Sequence, residues 1–185
     1  LGTNSLLDIV VFGRAAAYRA AETVQAGATH APIPAKATEK ALQRLDHIRQ
    51  AKGKSTTAEG RLLMQHAMQR HAAVFRSSQS LTEGVEKMDN VSAGMQDIGV
   101  QDQSLIWNTD LIEALELDNL MSQALVTMRS SEHRTESRGA HAHEDFPDRD
   151  DRDWMKHPVM WLDENNKSRI DYRSVILNTL TNEVE

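Results

Sequence analysis

Three observations predict a mainly α fold, a helical bundle of spectrin-like, up-down helices. Apolar residues recur at helical spacing in four stretches between residues 35 and 130. Aromatic residues make up only 4% of the chain, so the core must rest on Leu, Ile, Val, Met and Ala, a composition that favours helices over a sandwich or barrel. Only beyond residue 155 does the apolar period shorten to that of a strand.

The elements follow in order. Asn4-Ser5-Leu6-Leu7-Asp8 opens a first helix, with Ser5 as cap and Asp8 at the capping-box position. That helix is apolar nearly all round, as expected of one buried in a larger protein, and should end near Gly27. Residues 29–34, with two prolines, read as a linker. Ala41, Leu42, Leu45 and Ile48 stripe a second helix, which Lys52-Gly53-Lys54 stops. Thr56 and Glu59 have capping-box spacing ahead of a third stripe, Leu63, Met64, Ala67, Met68, His71, Val74 and Phe75. Ser77 or Ser78 starts a fourth helix, with Leu81, Val85, Met88, Ser92 and Met95 on one face. Asn108-Thr109-Asp110 starts the longest helix, running to about Ser130, with Leu111, Leu115, Leu117, Leu120, Met121, Leu125 and Met128 over a broad arc. Short connections between such helices make an up-down bundle. Residues 159–162, 163–167 and 170–176 then read as strand, turn and strand, a β-hairpin in a small α+β segment.

The 185 residues are enough for one or two domains. A net charge of −6 without a dominant basic patch disfavours a nucleic-acid partner. The absence of cysteine excludes disulfides, thiolate zinc sites and iron–sulfur ligation by this chain. No apolar run approaches the roughly 20 residues of a membrane-spanning helix. Both ends, Leu1-Gly2-Thr3 and Asn182-Glu183-Val184-Glu185, read as cut from something longer.

One stretch differs from the rest. Residues 133–154 hold four arginines, seven carboxylates and three histidines. His141, His143, Glu144 and Asp145 resemble a metal cluster, but no convincing further ligand stands at a metal-site spacing, so no metal residues are assigned. His66 and His71, five apart, share no helix face, and His71 is read as a packed core histidine. Among the familiar motifs there is no G-x-S-x-G, no G-x-G-x-x-G and no P-loop, so no catalytic residues are assigned either. Arg134, Glu136 and Arg138 instead read as a structural ion-pair joint between bundle and C-terminal piece, with Gly139 permitting a close approach or a positive φ.

Two stretches together carry a resemblance. Residues 4–17 (N-S-L-L-D-I-V-V-F-G-R-A-A-A) and 133–157 (H-R-T-E-S-R-G-A-H, E-D-F-P-D-R-D-D, W-M-K-H) resemble the C-terminal third of the succinate dehydrogenase flavoprotein subunit. Between them, R-L-L-M-Q at 61–65, V-F-R-S at 74–77 and L-E-L-D-N-L at 115–120 are similar too. The fumarate reductase flavoprotein shares much of the pattern, and L-aspartate oxidase is a more distant relative.

The resemblance implies a parent enzyme that binds FAD, oxidises succinate to fumarate and passes electrons through an iron–sulfur subunit to quinone. It implies membrane-anchor subunits and a flavinylation assembly factor as further partners. The location implied is peripheral, on the cytoplasmic side of a bacterial inner membrane or the matrix side of the mitochondrial one. Residues 1–34 would be the last helix of the FAD-binding domain plus linker, 35–130 the helical bundle domain, and 131–185 the C-terminal α+β segment. A family substrate-binding arginine would immediately precede the residue matching Leu1, and because this chain also lacks the phosphate-binding glycines and the catalytic residues, it should be inactive alone. Ser5 and Leu6 match cofactor-binding positions that meet the flavin ring, where a helix N-terminus offers free N–H groups to negative charge near N1 and O2. Arg134, Glu136, Arg138 and His141 would form a joint supporting the flavin site indirectly. His143 stands where relatives often carry Arg. The alternatives are a fumarate reductase or L-aspartate oxidase flavoprotein and, from other classes, a non-enzymatic helical interaction module or a metal-dependent hydrolase using His141 and His143.

Overall fold

The structure is a computed structural model, and it describes residues 4–176. Leu1-Gly2-Thr3 and Asn182-Glu183-Val184-Glu185 therefore lie outside the described residues. The chain divides into two compact units, Leu1–Ala41 and Leu42–Glu185.

In the first unit, α1 spans Asn4–Thr23. It already includes Ser5, so Ser5 lies within the first turn and not at the cap. The helix ends at Thr23, four residues short of Gly27, which takes a positive φ of 79° in the following turn. The Thr23 hydroxyl donates back to the Arg19 carbonyl at 2.8 Å, closing the last turn. Leu6, Leu7, Ile9, Val10, Val11 and Phe12 are all exposed on α1. α2 spans Ala35–Arg49, and its residues from Leu42 onward belong to the second unit.

The second unit is built on α3 (Thr57–His71), α4 (Ser78–Gly94) and α5 (Thr109–His133), which pack on one another pairwise. Their starts follow the expected chemistry. Thr56 and Glu59 form a complete capping box, Ser77 caps α4 through the Ser80 N–H, and Asn108 caps α5 through the Leu111 N–H. The main core joins Met64 and Ala67 of α3, Leu81, Met88 and Val91 of α4, and Leu117, Met121, Ala124, Leu125 and Met128 of α5. A second cluster, Val100, Leu111 and Ala114, receives Leu45 and Ile48 of α2.

Some stripe residues fall outside the core. Leu63 is exposed, and Val74 and Phe75 lie beyond α3, because that helix stops at His71 and the chain turns into a short strand, β1 (Phe75–Arg76). His71 is half-buried, with Nδ1 3.0 Å from the Ser80 carbonyl, as a packed histidine should be.

Gly53 does more than stop a helix. A Cβ there would stand 1.9 Å from the Asp97 carbonyl oxygen, and one at Gly99 would meet the Gly53 oxygen at 2.3 Å. The two glycines let the entry to α3 cross the exit from α4, where Ser55 N–H donates to Asp97 O and Gly99 N–H to Ser55 O.

Beyond α5, β2 (Ala142–His143) pairs parallel with β1, α6 spans Asp151–Trp154, and β3 (Lys156–Leu162) pairs antiparallel with β4 (Ser168–Ser174). The expected hairpin is present, turning at 163–167. Arg129 of α5 holds its tip, donating to the Asn166 carbonyl and to Asp89.

Candidate functional site

The charged stretch folds into a closed polar knot between the end of α5, the β1–β2 pair and α6. Glu136 is its centre, 0% exposed. Arg138 approaches its carboxylate with two nitrogens, Nε to Oε1 at 2.7 Å and Nη2 to Oε2 at 3.0 Å. Arg134 donates to the same Oε1, and the Asp150 N–H donates to Oε2 at 2.8 Å. Burial alone would raise the Glu136 carboxyl, but the bonds from Arg138, Asp150 and Arg134 outweigh it and hold the pKa below the ordinary value. A buried carboxylate held in this way stays ionised and has no need of a proton.

Each arginine is in turn fixed by other groups. Arg134 donates to the carbonyls of Trp154 and Lys156 and lies 5.0 Å over the Trp154 ring. Arg138 reaches Asp151 at 2.7 Å, and its bonds to Glu136 and Asp151 raise its pKa. The turn between Arg138 and His141 is closed by reciprocal backbone bonds, with Gly139 at a φ of 58°. The positive φ is therefore what this glycine supplies. A Cβ there would meet nothing within 4 Å, so no close approach requires it.

His141 is held at both nitrogens. Arg76 Nη1 donates to Nδ1 at 2.7 Å, and Nε2–H donates to the Arg134 carbonyl at 3.0 Å. Only the neutral ring with its proton on Nε2 satisfies both bonds. Burial lowers its pKa, and the neighbouring cations Arg76 and Arg134 push the same way against the Arg134 carbonyl. Arg76 itself is anchored by the Ala72 and Ala73 carbonyls and the Ser131 hydroxyl. His143 is 2% exposed, packs against Phe146 with ring centroids 4.8 Å apart, and has an Nδ1 without a hydrogen-bond partner. Next to it, Asp145 accepts the Ser78 N–H at 2.7 Å and so ties the knot to the start of α4.

The expected joint is thus assembled. Arg134, Glu136, Arg138 and His141 meet in one network, but His141 joins it through Arg76 and a backbone carbonyl and does not touch Glu136. Arg76 was not singled out from the sequence, although the V-F-R-S motif contains it. Its partner lies 65 residues away, and no periodicity links the two. Asp150 and Asp151 were likewise hidden among seven carboxylates of similar context. The knot has the chemistry of a structural clamp. The Glu136 oxygens are occupied by donors, and neither nitrogen of His141 is free to take a metal or a proton. Among the described residues no group of three or more His, Asp or Glu is placed to hold a metal ion.

The two cofactor-binding candidates stand in the other unit. Ser5 and Leu6 occupy the first turn of α1, both exposed. No acidic residue stands in that turn, since Asp8 falls beyond it, so no carboxylate opposes its positive end. That much fits a partly anionic ring edge.

The fold and knot define a class, a mainly helical region closed by a buried ion-pair clamp, and the comparisons supply its family. Residues 61–185 match the family model described as fumarate reductase flavoprotein C-term, and the chain belongs to this family. It is 52% identical, over its whole length, to the succinate dehydrogenase flavoprotein subunit of Rickettsia bellii, of which it covers 31%. It is 51% identical over its whole length to the mitochondrial succinate dehydrogenase [ubiquinone] flavoprotein subunit of Oryza sativa, covering 29% of it. Among solved structures, the quinol fumarate reductase of E. coli superposes with a TM-score of 0.86 at 29% identity, over 98% of this chain and 32% of that one. The chain thus spans about a third of the length of the curated relatives it matches.

Proposed function

We propose that this chain is the C-terminal part of the FAD-containing subunit of a succinate dehydrogenase, which oxidises succinate to fumarate and delivers electrons through an iron–sulfur subunit to quinone. The observation that carries this reading is the 52% identity to a succinate dehydrogenase flavoprotein subunit across the entire chain. FAD, when bound, would supply hydride acceptance. The contribution of this chain would be orientation: the backbone N–H groups at Ser5 and Leu6, in the first turn of α1, would hold the partly negative edge of the flavin ring. The domain layout that goes with this is 1–34 as the end of the FAD-binding domain with its linker, 35–130 as bundle and 131–185 as C-terminal segment.

The knot at Glu136 would support the flavin site by fixing the segment after α5. Replacing Arg138 by Ala in the full-length subunit should lower flavin incorporation, and normal flavin content with normal activity would sink that role. The chain alone is expected to be inactive and to retain no stoichiometric FAD. Membrane-anchor subunits and a flavinylation assembly factor complete the partners, and no nucleic acid is among them. Among the described residues no helix is long and apolar enough to cross a membrane. This is consistent with a peripheral place on the cytoplasmic face of a bacterial inner membrane or the matrix face of the mitochondrial one.

The test is succinate-dependent dye reduction by the flavin-loaded, full-length protein, with malonate as competitor. Malonate-sensitive turnover supports the reading, and absence of succinate turnover refutes it. The structural match to a quinol fumarate reductase favours a second reading, a fumarate reductase flavoprotein. Fumarate-dependent reoxidation of a reduced dye, faster than succinate oxidation, would select it.

A further inference from the structure

Arg76 stands where three parts of the second unit meet. Its guanidinium donates to the Ala72 and Ala73 carbonyls at the end of α3, to the Ser131 hydroxyl near the end of α5 and, at 2.7 Å, to Nδ1 of His141 in the turn before β2. The opposite nitrogen of that ring, Nε2, donates to the Arg134 carbonyl at 3.0 Å. A guanidinium offers no acceptor and does not give up a proton. The bond at Nδ1 therefore exists only while the His141 ring is neutral. A proton taken up there sets N–H against N–H and cation against cation, so the link must part.

The charges around the ring oppose a proton on it. From β1 it faces Arg76, from the chain after α5 it faces Arg134, and from β2 it faces the His143 ring, with centroids 5.9 Å apart. From α5 the Ser131 hydroxyl approaches through Arg76. The carboxylates of the knot are engaged elsewhere. Glu136 is taken by Arg134, Arg138 and the Asp150 N–H, and Asp145 by the Ser78 N–H at the start of α4. On the α6 side, Asp151 is taken by Arg138 and Arg149, and Asp150 by the Arg152 and Asp153 N–H groups. Burial and the two guanidinium groups accordingly lower the His141 pKa below the ordinary 6.5. The ring is only half-buried, so solvent protons reach it.

What this link holds has little other support. β1 and β2 pair over two residues each, Phe75 with Ala142 and Arg76 with His143, and the Glu144 N–H donates to the Arg76 carbonyl at 2.7 Å. So short a ladder is not stable by itself in water. The Glu136 knot fails in a different acid range. The carboxyls of Glu136 and Asp145 lose their charge only below the usual carboxylate values, because their donors hold them ionised. Both ties therefore outlast the His141 link as acid increases. We propose that Arg76 and His141 form an acid-released latch, which unfastens residues 138–143 from β1 and the end of α3 in mildly acid solution while the Glu136 knot and the three-helix core stay in place. Every group in the latch belongs to one compact unit of this chain, and the inference takes nothing from the function proposed above.

The test is amide hydrogen exchange of the full-length subunit from about pH 7.5 to about pH 5, read by mass spectrometry and corrected for the intrinsic pH dependence of exchange. Between the ordinary value of 6.5 and the lowered pKa of His141, linkage makes the opened form rise by up to about tenfold per pH unit. Peptides over 138–146 should show that rise, and peptides of α4 should not. His141→Gln, whose amide can accept from Arg76 and donate to the Arg134 carbonyl at any pH, should abolish the rise and keep the protection seen at neutral pH. Should that variant fail to fold, exchange of the ring Cε1–H of His141 in the unaltered protein reads the pKa directly, and the latch requires a value below 6.5. A value at or above 6.5 would overturn the proposal, because the folded state would then accept the protonated ring. An equal rise in the α4 peptides would overturn it in favour of global unfolding. A rise that persists in His141→Gln would assign the acid sensitivity to another group, and constant protection of 138–146 throughout would show that there is no latch.

Discussion

The bundle core and the Glu136 knot both contain fully buried side chains, but they are held in different ways. Leu117 and Met128 are 0% exposed among other apolar residues, and their burial is non-directional. Glu136 is equally buried, but its position depends on Arg134, Arg138 and one backbone N–H in fixed geometry. The core therefore tolerates change in proportion to the volume lost. The knot tolerates change only when both members of a pair are removed together, because a charge left alone in low dielectric costs more than the pair contributed.

The predictions are ordered by expected size, and each is read by urea unfolding of the 42–185 segment, which contains its own core. Glu136→Gln leaves two arginines facing a neutral amide and should cost about 3–5 kcal/mol. A loss below 1 kcal/mol would show that the knot opens to water. Leu117→Ala in the core should cost about 2–5 kcal/mol, scaling with the cavity left behind. A combined Arg134→Met, Glu136→Leu, Arg138→Met variant sharpens the contrast, because it should recover most of what Glu136→Gln loses. No combination of truncations in the core should do so.

Gly53→Ala forces a methyl group against the Asp97 carbonyl, which cannot move cheaply, and should cost roughly 1–3 kcal/mol. Thr56→Ala removes half of the capping box and should cost about 1 kcal/mol. The last prediction is one of direction. The His141 pKa is lowered on folding, so the unfolded chain takes up that proton first, and stability falls as pH drops below the ordinary histidine value of 6.5. The Glu136 pKa is lowered too, so its contribution is present above the ordinary value of 4.5 and is lost as pH falls further. His141→Phe should remove the first of these slopes and keep the second. An unchanged slope between pH 7 and 5 would assign it to another group.

Legibility in the sequence follows the same division. The helices, their caps at Thr56, Ser77 and Asn108, and the core positions Leu81, Met88, Leu111, Leu117, Met121, Leu125 and Met128 could be read because they depend on neighbours within four residues, whereas Leu120 is exposed and Val91, Ala114 and Ala124 are buried against expectation. The hairpin at 156–174 was legible through its change of period. The early end of α1, the turn of the chain after His71 and the β1–β2 pair were not, because each depends on a contact or a chain end with no local signature.

By itself, the sequence determined the class of fold, the family and the membership of the ion-pair joint at Arg134, Glu136 and Arg138. Period, capping chemistry and long motifs are all local properties of the chain. The tertiary structure alone decided that Arg76 clamps His141 across 65 residues, that Gly53 and Gly99 permit two segments to cross, and that Trp107 stands out in solvent on a left-handed backbone. These are distances between parts of the chain that share no pattern, and a pattern is all that a one-dimensional reading can detect.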